Sequence, residues 1–189
     1  MRQYVNLFCV LGLTFVLASP VHPAQTAGGK HLSRFFYGWR IGVLGHDVDS
    51  LWSGSQAEEG VDLNAEIVLK RPGFSFLKGR VLPNVGMTVN TRGDTSTLYA
   101  GCIWEYVSDA GVFFNTGVGL AVHNGELETA DDQKKSLGSR VLFRIPIELG
   151  ATFGRRHRLS LFFAHISNAY LTEPNDGLDV LGLRYGWQF

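Results

Sequence analysis

From residue 35 to the C-terminus the chain switches between apolar and polar or small residues at every second position, in about eight runs of roughly ten residues each. Successive side chains of a β-strand leave opposite faces, so each run is a strand with one apolar face. The second run sets Val61, Leu63, Ala65, Ile67 and Leu69 against Asp62, Asn64 and Glu66. The fifth sets Val112, Phe114, Val118, Leu120 and Val122 against Asn115, Gly117, Gly119 and His123. The first places Phe35, Tyr37, Trp39, Ile41 and Val43 on its apolar face. No helical period intervenes. Short connections at 91–94, 108–111 and 154–157 join neighbours into an antiparallel meander, which closes most simply as a barrel.

Which way the apolar face points decides the class. In a soluble ligand-carrying barrel it lines the interior and charges cover the outside. Here charged residues are only 18% of the chain, and the second face carries Arg40, Glu66, Glu105, Arg144, Glu148 and Arg184 among many of the 23 glycines. Small residues and opposite charges suit a narrow lumen, and the apolar parity suits a lipid-facing band roughly 25 Å tall. Tyr106, Tyr185 and Trp187 at strand ends resemble interfacial girdles, and the chain ends on Phe189. Long connections at 46–59 and 124–138 fall at the external end, with short turns at the other; the 71–80 connection is longer than that pattern asks. The expectation is an all-β protein, an eight-stranded antiparallel up-and-down transmembrane β-barrel over residues 28–189.

A signal peptide over residues 1–27 precedes it: Arg2 is followed by an apolar run from Tyr4 to Ala18, too short to span a bilayer as a helix. Its removal takes Cys9 and leaves Cys102, so no internal disulfide forms. The formal net charge of zero gives no support for nucleic-acid binding. His31, His46, His123 and His157 lie near ends or loops and read as solvated. So do Lys134, Lys135 and Arg140, although these loop cations are the best placed to meet outer-leaflet phosphates.

Chemistry concentrates near the C-terminus. His165 and Ser167 share a strand face, and a hairpin turning near Asn175 brings Asp179 opposite Ser167 and diagonal to His165, within side-chain reach. Polar groups on a lipid-facing parity are costly unless paired. In a hydrolytic reading Ser167 is the nucleophile, His165 its base and Asp179 the acid that orients the imidazole. Asn168, Asn175 and the amides after the serine, that of Ala169 first, are oxyanion candidates. The site requires no metal, and no Cys/His ligand cluster is present to hold one. The alternatives are an ordinary polar patch in a non-enzymatic barrel, an anchor or adhesin, or a contact with a second copy in a homodimer.

The run His165-Ile166-Ser167-Asn168-Ala169, followed by Pro174-Asn175-Asp176-Gly177 and Asp179, resembles the PagL family of outer-membrane lipid A 3-O-deacylases. The resemblance implies an eight-stranded barrel that hydrolyses the ester-linked acyl chain at position 3 of lipid A, without a cofactor, in the outer leaflet. It implies His165 as base, Ser167 as nucleophile and Asp179 as acid, with Asn175 and the amides after Ser167 at the oxyanion and Asn168 in support. Its partners are then lipopolysaccharide and outer-membrane lipid. Well-known members carry Glu where this chain has Asp179. Asp is one methylene shorter, so the hairpin must bring it closer; Asp176 is the substitute if it fails.

Overall fold

The structure is a computed structural model that describes residues 35–49, 51–70 and 74–189. The expected signal peptide over 1–27 lies outside them. The strands are β1 (Phe36–Gly45), β2 (Val61–Leu69), β3 (Ser75–Phe76), β4 (Gly79–Asn90), β5 (Thr97–Val107), β6 (Val112–His123), β7 (Val141–Phe153), β8 (His157–Ser167) and β9 (Leu178–Gln188). Eight are long, and each pairs antiparallel with its neighbours. β2 pairs β4 and β1 pairs β9, so the sheet closes into a barrel without an open edge. The expected architecture is the one observed. The two-residue β3 folds back on the start of β4, pairing Ser75 with Arg80, which accounts for the extra length of the 71–80 connection.

The alternation divides the wall as the sequence indicates. Ile41, Val43, Leu63, Leu98, Val118, Leu120 and Leu161 are exposed on the outer face, and Arg40, Glu66, Glu105, Glu148 and Arg184 are buried inside. The first strand departs from expectation at one residue. A bulge between Phe36 and Gly38 shifts the register, and Tyr37 turns inward to bond Glu105. Pro83 lies just past the end of the β2–β4 ladder at Asn84, while it stays paired with Cys102 of β5.

Burying ions costs several kcal/mol each unless they are paired and hydrogen-bonded, and the lumen arranges this. Arg40 lies 2.9 Å from Glu66, 3.1 Å from Glu148 and 3.5 Å from Glu105. Arg184 meets Glu66 at 2.9 Å, and Arg158 bonds Glu105. Arg144 is the exception: its guanidinium stacks 3.7 Å above the Tyr99 ring, a cation–π contact in place of a carboxylate. Towards the long-loop end the lumen becomes apolar, with Leu44, Leu142, Phe162, Ile166 and Leu178 packed under Leu137 from the 124–140 connection. A rigid plug therefore backs the strand ends that carry the candidate site.

The connections 46–60, 91–96, 124–140 and 168–177 share that end, and they interlock. Here the expectation of solvated histidines and lysines fails. His46 is 2% exposed, clamped between Asp62 and Glu58 at 2.9 Å each. Burial alone would push its imidazole down, but the hydrogen bonds to the two carboxylates outweigh that and raise it to about 9. Burial opposes ionisation of Glu58 too, yet the bonds from His46 and from the Thr95 and Lys135 amides lower its pKa to about 2. Lys135 is buried against Asp47 and donates to the Ser55 carbonyl. His123 is buried with Nε2 on the Ser139 carbonyl, and at the opposite, short-turn end His157 is half-buried, stacked on Phe153. Lys134 is half-buried and bonds Asp94, while Arg140 stays exposed, as expected, and donates to the carbonyls of His123 and Gly125. For the buried groups at the long-loop end the physical reason is the same. A loop folded over a barrel mouth loses water contacts, so its charged groups must find protein partners.

Candidate active site

β8 carries His165 and Ser167 two positions apart, on the face of Leu161 and Phe163. Its neighbour β7 places Ile145 beside His165 and Phe143 beside Ser167. Across the other edge, Asp179 of β9 lies directly opposite His165. The expected diagonal placement, with Asp179 opposite Ser167, is therefore corrected. Ladder pairing stops at Ile166–Leu178, and the chain leaves β8 through left-handed backbone at Ala169 and Tyr170, with φ of 54° and 59°. The connection 168–177 closes on itself through the Asn168 amide, which donates to Asn175 Oδ1 at 2.9 Å. The return strand thus starts in the register that brings a short acid nearest the imidazole.

The resulting chain of contacts is continuous. Asp179 Oδ1 lies 2.7 Å from His165 Nδ1, and His165 Nε2 lies 2.9 Å from Ser167 Oγ. With a carboxylate at Nδ1, the neutral ring carries its proton there, which leaves Nε2 free to accept from the serine hydroxyl. Asp179 is fully buried and His165 nearly so. The second carboxylate oxygen accepts from the backbone amides of Trp52 and Ser53 at 2.6 and 2.7 Å. The Trp52 indole lies parallel to the imidazole, with centroids 4.7 Å apart and planes at 11°. Trp52 and Ser53 escaped the sequence reading because both sit in a polar connection more than a hundred residues upstream. The only signal was the apolar pair Leu51-Trp52 in an otherwise polar loop.

The remaining expected residues separate into two groups. Ala169 and Asn175 line the groove beside Ser167. Asn175 Oδ1 is committed to the Asn168 amide, so its Nδ2 is the group left to donate. Asn168 does not offer its side chain to the site: Nδ2 donates to the carbonyls of Leu137 and Pro174, tying the 124–140 connection to 168–177. Asp176, the alternative acid, accepts from the Ser136 amide at 2.6 Å and has no hydrogen bond to His165. Two glycines permit this packing. A Cβ at Gly138 would meet the Pro174 carbonyl oxygen at 1.9 Å, and one at Gly177 would stand 3.1 Å from the His165 ring, both at positive φ.

A groove of about 770 Å³ opens at Ser167. Trp52, Ser53 and Gly54 form one side, Ala169, Tyr170 and Asn175 another, and Phe143, Ile145 and Val118 continue it along the apolar wall. Such a site places a serine hydroxyl, an imidazole and two hydrogen-bond donors at the head of an apolar groove. Among the described residues, no cluster of three or more His, Cys, Asp or Glu could hold a metal ion.

Comparison with known proteins points the same way. A family model described as lipid A 3-O-deacylase (PagL) matches residues 33–188. The lipid A deacylase PagL of Bordetella bronchiseptica is 36% identical over 77 residues, a stretch spanning 41% of this chain and 41% of that relative. The aligned part is thus less than half of the relative's length. Among solved structures, the crystal structure of the outer membrane enzyme PagL aligns with a TM-score of 0.59 at 20% identity, over 79% of this chain and 99% of that one. Neisserial surface protein A aligns with a TM-score of 0.50 at 11% identity, over 82% and 97%. At these identities the two structures speak for the barrel fold alone.

Proposed function

The chain belongs to the PagL family of lipid A 3-O-deacylases, and on that premise we propose that it hydrolyses the ester-linked acyl chain at position 3 of lipid A, from the outer leaflet of the outer membrane. The observation that carries this reading is the unbroken contact series Asp179–His165–Ser167 at 2.7 and 2.9 Å, set at the head of an apolar groove on the barrel wall.

In this mechanism Ser167 Oγ attacks the ester carbonyl carbon while His165 Nε2 takes its proton. The negative charge forms on the carbonyl oxygen, to which the Ala169 amide and Asn175 Nδ2, on residues lining the groove beside Ser167, would donate. A pre-oriented pair of this kind is worth about 10²–10³ in rate per donor. Collapse breaks the bond to the sugar oxygen, which receives the proton from His165. A water molecule, deprotonated by the same imidazole, then releases the fatty acid from the acyl-serine. Asp179 holds the ring in the required tautomer and stabilises the imidazolium. The groove over Phe143, Ile145 and Val118 supplies the apolar contact a departing acyl chain needs.

An outer-membrane barrel reaches this site only by export, so the N-terminal segment acts as a signal peptide removed before residue 28. The test is a mass spectrum of lipid A from cells expressing the protein or its Ser167→Ala variant. The wild type should show lipid A lacking one ester-linked acyl chain, and Ser167→Ala should show the intact species in cells holding equal amounts of folded barrel. Deacylation by both forms would sink the serine's role, and by neither would sink the activity.

A further inference from the structure

The 46–60 connection reaches across β1 to Asp179 with three backbone amides. Val48 donates to the Asp179 carbonyl at 2.9 Å, and Trp52 and Ser53 donate to its Oδ2. A fully buried carboxylate with one oxygen on His165 would leave the other unsatisfied without those amides, which costs its full desolvation. Nothing else in the described residues bonds that oxygen. From the same stretch Trp52 lays its ring flat on the imidazole, so one loop holds both the acid and the base.

We propose that Trp52, with the amides of residues 52 and 53, is a positioning latch for the His165–Asp179 pair. This rests on the hydrolytic reading above and adds to it a part drawn from a distant loop. The latch works in three ways. The two amides stop the Asp179 carboxylate from rotating, so Oδ1 stays aimed at Nδ1. The indole fixes the plane of the imidazole, which otherwise faces the groove. The negative face of the indole also attracts an imidazolium more than a neutral ring, so the stack strengthens as His165 takes the serine proton.

The latch is carried on a stiff base. Asp47 accepts from the Ala57 and Glu58 amides at 2.7 and 3.0 Å, pinching the loop at its neck. Glu58 is bound by His46, by Thr95 and by the Lys135 amide, which fixes the neck to two other connections. The segment 51–54 therefore projects from a braced neck. Trp52 is 54% exposed, so its second face and edge remain towards the groove mouth.

The test compares full-length Trp52→Phe and Trp52→Leu with wild type, in detergent micelles with lipid A as substrate. Leu keeps an apolar contact without a ring, and Phe keeps a smaller ring. Trp52→Leu should lower kcat at least tenfold with little change in KM, and Trp52→Phe should recover most of the loss. The second readout needs no turnover: the His165 Nδ1 proton, hydrogen-bonded to Asp179, should give a far-downfield NMR resonance in wild type and Trp52→Phe, broadened or lost in Trp52→Leu. An unchanged resonance and kcat in Trp52→Leu would overturn the latch, and so would a change confined to KM, which is the mark of a groove wall. Wild type without turnover but with the resonance pattern just described would overturn the hydrolase reading and leave the latch standing.

Discussion

Resemblance to the PagL family implies Glu where this chain has Asp179, and the geometry shows how a shorter acid reaches the imidazole. Placed directly across from His165, an aspartate reaches Nδ1 at 2.7 Å while its other oxygen is filled by two amides. There is no slack for another methylene. Asp179→Glu is expected to lower kcat by roughly tenfold, because the carboxylate must push against the Trp52 and Ser53 amides or tilt the ring. Asp179→Asn is expected to lose about 10⁴-fold, since an amide in that place favours the wrong imidazole tautomer. Steady-state rates on lipid A decide the matter: an Asn variant as active as the Glu variant would mean that Asp179 does not orient the base. That Ser167, His165 and Asp179 come together was legible in the sequence, because period two fixes faces and the spacing fixes neighbours. Asn168 ties 124–140 to 168–177 beneath the site, partners that period two does not name because a side chain at a loop root finds them across loops.

At the scale of elements, the four connections at one end form a single hydrogen-bonded cap, with His46 and Glu58 near its centre. His46 is raised in the folded state to about 9 from an ordinary 6.5. Its contribution to stability is therefore fully present below about pH 6.5, declines above it and is gone beyond about 9. Glu58 is lowered to about 2 from 4.5, so its contribution holds above about pH 4.5 and is lost as pH falls through about 2. The cap should be tightest between about pH 4.5 and 6.5. Hydrogen exchange at the Thr95 and Lys135 amides checks this: both should lose protection as pH rises from 7 to 10, after correction for intrinsic exchange, while β5 and β6 amides stay protected. Protection unchanged over that range would mean His46 is neutral in the cap. Because the 46–60 neck is part of the cap, catalysis should weaken over the same alkaline range.

For the whole molecule, the barrel is held by closure and by a lumen in which charges satisfy one another. Glu148 illustrates the dependence: it lies 3.1 Å from Arg40, accepts from Asn115 and from Ser160, and stands beside Arg184. Glu148→Ala leaves buried guanidinium groups short of a partner and should destabilise by about 3–5 kcal/mol, with Glu148→Gln less severe. Thermal unfolding in detergent reads the difference. Equal midpoints for wild type and the Ala variant would show that water, and not Glu148, compensates the arginines.

The sequence by itself determined the eight long strands, their inner and outer faces, the barrel and the approach of Ser167, His165 and Asp179 to one another. All of these follow from strand periodicity and from spacing within one hairpin, which are local properties of the chain. The bulge that turns Tyr37 inward, the direct pairing of His165 with Asp179, the buried state of His46 and Lys135, and the approach of Trp52 were decided only by tertiary structure. Each depends on how loops from distant strands settle over the closed mouth of the barrel, where lost hydration makes every polar group seek a partner that no local pattern names.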